Sequence, residues 1–202
     1  MAEQVQIKAA TVKELRERTG AGVMDCKRAL EETGGDLDRA VALLRERGQA
    51  AAQEKASREA HDGLVASYIH PGGRVGVLIE VNCETDFVAR TPEFQKLVRD
   101  LAMQVAGLAP LYPTVDSVPP DVLAAKRAEL LADDSVQKKS EHIRGQIVDG
   151  QLRKWLAEIV LTEQPFRDTD MTVGQLLTDS IATIGENIRV RRFARYQLGE
   201  ER

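Results

Sequence analysis

The sequence has 202 residues, 43% of them hydrophobic and 30% charged, with a formal net charge of -4. That apolar share is enough for a core and excludes wholesale disorder. The acidic balance gives no global basis for binding nucleic-acid phosphates, although a local basic patch is left open.

No run of about 18 apolar residues occurs, so no membrane span is expected. The opening MAEQVQIKAA has neither a basic n-region nor an apolar h-region, so no secretory signal is expected. Aromatics make up only 4%, which leaves most of the packing to Leu, Val, Ile and Ala. Cys26 and Cys83 lie far apart and read as reduced thiols of a cytoplasmic protein. His61, His70 and His142 are scattered. No Cys–His cluster has ligand spacing, so neither a metal nor a cofactor is expected.

Residues 1–48 read as three short helices. Thr11 and Glu14 have the spacing of a capping box for the first, and Gly20 and Gly22 end it. The second runs through Met24, Lys27 and Leu30 towards Gly34 and Gly35. Asp36 suits the N-cap of the third. Leu37, Ala40, Val41 and Leu44 recur at helical spacing, and Gly48 is the expected stop. Three helices of this size bury a small core of marginal stability. Residues 49–60 are Ala-rich and charged. They read as a helical linker, with an extension of the third helix as the alternative.

Residues 61–202 change texture. Segments 64–70 and 75–82 flank Pro71-Gly72-Gly73 and predict a hairpin, with Val75, Val77, Ile79 and Val81 on a buried face. Thr91-Pro92-Glu93 opens a helix striped by Phe94, Leu97, Val98, Leu101 and Val105. A Pro-containing loop at 109–120 precedes helices expected at 121–132, 135–148 and 151–161. Thr172 and Gln175 suggest another capping box, and Gly185 a stop. Residues 187–198 read as a third strand.

Few motifs carry chemistry. Gly20-Ala21-Gly22 and Pro71-Gly72-Gly73 lack the spacing and the Lys–Ser/Thr ending of a phosphate loop, and turn chemistry explains both. Glu84 with Asp86, and Asp133 with Asp134, are paired carboxylates without a visible reason for divergent pKa values. No nucleophile–base signature appears. No catalytic residue is therefore assigned, and the chain is not expected to be an enzyme.

Two features remain. Arg189, Arg191, Arg192 and Arg195 crowd the last strand, where they suit RNA phosphates, edge protection or an intramolecular acidic partner. Simple alternation puts Arg189, Arg191 and Arg195 on one face with Phe193. Phe87, between a strand and a helix, either tucks beneath its own helix or projects towards a partner. The residues alone favour tucking.

Three segments carry a family resemblance. VKELRERTGAGVMDCKRAL, VNCETDFVAR and GENIRVRRF resemble, in order, the signatures of elongation factor Ts, and they bracket almost the whole chain. The resemblance implies an α+β fold. An N-terminal three-helix ubiquitin-associated-like domain would precede a helix-rich core with a three-stranded antiparallel sheet. It implies a guanine-nucleotide exchange factor for elongation factor Tu. Thr85, Asp86, Phe87 and Val88 would insert beside the nucleotide site of Tu, with Phe87 as the wedge. This reverses the tucked reading of Phe87. Val12, Arg16, Val23 and Met24 are named for N-terminal docking, with Lys27 beside them. Longer family members carry two related core subdomains, and this chain shows one. A homodimer through the core sheet is therefore expected. An RNA-binding translation accessory protein is the alternative function, although no direct nucleic-acid partner is expected.

Overall fold

A computed structural model describes residues 7–167 and 169–200. The architecture is α+β. Among the described residues there are nine α-helices and one three-stranded antiparallel sheet of order β1-β2-β3.

The N-terminal unit holds α1 (Ala9–Thr19), α2 (Val23–Glu32) and the start of α3 (Leu37–Lys55). Its core is Leu15, Cys26, Ala29, Leu30 and Ala40. Gly20 closes α1 in the left-handed conformation, at φ 70, which a Cβ would disfavour. The Asp36 carboxylate caps α3 by accepting from the Arg39 N–H at 3.0 Å. Arg18–Asp38 and Arg47–Glu32 tie the helices across their exposed surfaces. Such pairs contribute at most about 1 kcal/mol each.

Two local expectations fail here for physical reasons. The capping box of Thr11 and Glu14 does not form, because α1 starts earlier, after Lys8. Nor does Gly48 end α3. The helix runs on to Lys55, because Gly48 is buried against Ala182 and Ala52 joins the larger core. Tertiary packing outweighs a helix glycine's cost of about 1 kcal/mol.

The larger core lies on one face of the sheet. Strands β1 (Asp62–Ile69) and β2 (Val75–Cys83) form the predicted hairpin, and β3 (Arg189–Gln197) pairs with β2. Val77, Ile79 and Val81 form one core with buried residues of α5 (Pro92–Leu108) and α9 (Val173–Ile184). Phe94, Leu101, Val105, Leu177 and Ile181 fill the space between. Thr91 caps α5 with Pro92 in the first turn. Thr172 and Gln175 form the capping box of α9, and Gly185 ends it.

Simple alternation does not hold along the last strand. Glu80 pairs with Arg192, but Val81 pairs with Val190, so a β-bulge falls at Arg191. An extra residue reverses side-chain parity along the strand. Val190, Phe193 and Arg195 consequently lie opposite Val81, Ile79 and Val77 of the packed face. Arg189 and Arg192 lie opposite Asn82 and Glu80 on the other face.

Helices α6 (Pro120–Ala132), α7 (Asp134–Gln137) and α8 (Glu141–Ile159) form a hairpin between α5 and α9 in sequence. The helices expected at 135–148 and 151–161 are not the observed ones. A short α7 is followed by one long α8 that passes through Gly150. Val148 is buried, and Lys126 of α6 stands 5.9 Å over the Trp155 ring of α8. At its base, the buried Gln164 amide donates to the Leu108 and Glu158 carbonyls at 3.3 and 3.1 Å and accepts from Gln104 at 3.3 Å. These bonds satisfy a polar side chain that is otherwise costly to bury.

Candidate partner-binding site

The site begins where β2 ends. Cys83 is the strand's last residue, and its thiol donates to the Thr85 carbonyl at 3.2 Å. Burial pushes this thiol up to about 11, with the nearby Glu186 carboxylate adding to the shift. Cys83 is thus a structural thiol at neutral pH.

A single helical turn, α4 (Asp86–Ala89), follows. Its Thr85 cap accepts from the Val88 N–H at 3.4 Å, while the Thr91 hydroxyl donates to the Val88 carbonyl at 2.8 Å. Ala89 is buried, and Val88 packs against the main core. These inward residues leave the other side of the turn in solvent. Asp86 there pairs with Arg90 at 2.7 Å. Phe87 is 80% exposed. The tucked arrangement favoured by the residues alone is not adopted.

The connection behind α4 was not legible in the sequence. Glu186, just past Gly185, accepts from the N–H groups of Glu84 and Thr85, both at 3.0 Å, and from the Thr85 hydroxyl at 2.6 Å. In return, Glu84 accepts from the Asn187 N–H at 2.6 Å. The Asn187 amide donates to the Arg58 carbonyl at 2.7 Å. These partners are about a hundred residues apart, so no local spacing connects them.

The other named residues lie on the N-terminal unit. Val23 and Met24, at the start of α2, are 50% and 63% exposed. Arg16 and Lys27 are also exposed, and Val12 packs partly against the small core. A cleft of about 820 Å³ opens between this unit and α9 beside the contact of Gly48 with Ala182. Its lining includes Arg18, Asp25, Arg45 and Asp179 but no residue of α4. Burial raises the Asp179 pKa, and Arg45 opposes that shift. Among the described residues, no three His, Cys, Asp or Glu side chains gather in a way that could hold a metal ion. Nor is any described helix long and apolar enough to cross a membrane.

Comparison with known proteins places this α+β chain among the translation elongation factors. A family model described as "Elongation factor TS" matches residues 3–200. Elongation factor Ts of Heliobacterium modesticaldum is 54% identical over 196 residues, covering 96% of this chain and 91% of the relative. That of Rubrobacter xylanophilus is 51% identical over 199 residues, covering 98% and 100%. That of Synechococcus sp. strain JA-3-3Ab is 52% identical over 198 residues, covering 97% and 70%. The chain belongs to the elongation factor Ts family.

Proposed function

We propose that this chain binds elongation factor Tu carrying GDP and promotes GDP release, so that GTP can enter. The exposed Phe87 on a fixed helical turn carries the reading. A large apolar side chain held in water at a rigid site loses little conformational freedom on binding. Its full burial in a partner would contribute roughly 1.5–3 kcal/mol, or about one to two decades of affinity.

Affinity alone does not produce exchange. The factor must favour the Tu conformation that holds magnesium and phosphate poorly. By linkage, the factor weakens nucleotide binding as much as the nucleotide weakens factor binding. Phe87 meets this requirement if its pocket opens only in the displaced conformation, with Thr85, Asp86 and Val88 framing it. The role is that of a binding protein without a cofactor of its own, acting in the cytoplasm.

Residues 1–48 form the docking unit in this reading, with Val12, Arg16, Val23 and Met24 on its contact face. Residues 49–60, which complete α3 and already place Ala52 in the larger core, link it to a core of 61–202. A homodimer through the open sheet face supplies a second core. RNA binding is disfavoured by the engagement of three arginines within the chain. Arg192 pairs with Glu80, Arg195 bonds Glu200 and the Ala106 carbonyl, and Arg189 bonds the Ala56 carbonyl.

The test follows fluorescent GDP leaving purified elongation factor Tu with magnesium present. Wild-type protein should accelerate release, and folded Phe87→Ala should lose about one to two decades of that effect. Equal acceleration by both proteins would remove Phe87 from the mechanism. No acceleration by wild type would sink the exchange reading.

A further inference from the structure

We infer that Glu186 is a positioning residue for Phe87, acting through Thr85; the role rests on the exchange reading above. Phe87 does not fix its own direction, because it is 80% exposed. Its direction is inherited from α4. A four-residue helix does not hold itself either, since nucleating a helical turn in isolation is unfavourable. The hold must come from outside the turn.

Glu186 supplies it at the N-terminal end. One carboxylate takes up three donors of the segment leading into α4, namely two consecutive backbone N–H groups and the Thr85 hydroxyl. Hydrogen bonds to an ionised acceptor are among the stronger ones in proteins. The hydroxyl bond also fixes the Thr85 rotamer. With its only proton committed to Glu186, Thr85 Oγ1 turns a lone pair to the Val88 N–H and caps α4.

The clasp runs both ways. Glu84 accepts from the Asn187 N–H, and its carboxylate also stands 3.7 Å from the Arg58 guanidinium. Residues 84–85 and 186–187 therefore hold each other through carboxylate-to-backbone bonds in both directions. The GEN at 185–187 thereby acquires a role separate from the arginines that follow it. A wedge presented at a fixed angle inserts without first being ordered, and this is the advantage of preorganisation.

The test compares wild type, Glu186→Ala, Glu186→Gln and Thr85→Val, each also in the Phe87→Ala background. Release of fluorescent GDP from elongation factor Tu is followed across a range of factor concentrations. Backbone amide exchange of each free protein is measured alongside.

Glu186→Ala should lower the maximal release rate about tenfold, with little change in the half-saturating concentration. It should speed amide exchange at Glu84, Thr85 and Val88 and spare the centre of the sheet. Glu186→Gln retains a carbonyl for the two N–H groups and should recover most of the rate. Thr85→Val removes only the hydroxyl link, and it carries the test should Glu186→Ala fail to fold. In the Phe87→Ala background none of the three substitutions should lower the rate further.

A wild-type maximal rate in both Glu186→Ala and Thr85→Val would overturn the role. So would an equal loss with and without Phe87. Failure of wild type itself to accelerate release would instead overturn the exchange reading, and this role with it.

Discussion

Gly48 of α3 rests on Ala182 of α9, so closely that a Cβ at position 48 would stand 3.2 Å from the Ala182 Cβ. The contact binds the N-terminal unit to the core, because the first half of α3 packs in one and Ala52 in the other.

Substitution at Gly48 should therefore act through packing more than through helix propensity. Gly48→Leu should destabilise the chain by about 1–3 kcal/mol, the usual cost of overpacking. Gly48→Ala should be nearly neutral, since a helix-propensity gain of about 1 kcal/mol opposes the squeeze on Ala182. Urea unfolding of both variants measures this. A Gly48→Leu protein as stable as wild type would mean that α3 and α9 are not pressed together there.

Gly48 also marks where sequence reading stops. Signals that act within one turn were legible: Asp36, Thr91-Pro92, the Thr172–Gln175 box and the closing glycines 20 and 185. Each satisfies or terminates backbone groups next to it, so its partner is in view along the chain. The alternation of Val77, Ile79 and Val81 was legible for the same reason. Gly48 misled because distant packing carries α3 through it. The bulge at Arg191 was invisible because register belongs to a strand pair. The family signatures drew attention to Phe87, but nothing local revealed that Glu186 reaches Thr85.

Cys83 gives a pH prediction. Burial raises its pKa from 9.0 to about 11. A group whose folded pKa is raised contributes stability that is fully present below the unfolded pKa. That contribution is lost as pH rises through the folded value, so the window runs from about 9 to about 11. The denaturation midpoint of wild type should fall faster across that window than that of Cys83→Ala. At about pH 8 a thiol reagent should label Cys83 only as fast as the native structure opens, because the thiolate is the nucleophile. Rapid labelling in the folded state, located by mass spectrometry, would contradict the burial argument.

The open face of the sheet gives the last prediction. Register aligns Ile69, Gly76 and Tyr196 in one row, Ser67, Leu78 and Ala194 in the next, and Val65, Glu80 and Arg192 in a third. Gly76 leaves room for Ile69, whose Cδ1 would lie only 3.0 Å from a Cβ there. Val65, Ile69, Leu78 and Tyr196 are each at least half exposed. The 2.7 Å Glu80–Arg192 pair borders them. A face of this kind suits a self-complementary two-fold contact, in which each sheet packs on its copy. Wild type should sediment as a dimer at micromolar concentration, and Leu78→Lys should sediment as a folded monomer. The charge is placed on an exposed position, so stability of the single core should change by no more than about 0.5 kcal/mol. If the second core completes the Tu contact, Leu78→Lys should also weaken GDP release, with partial recovery at high protein concentration excluded for a true monomer. A wild-type chain that stays monomeric at every concentration while releasing GDP at full rate would show that one core suffices.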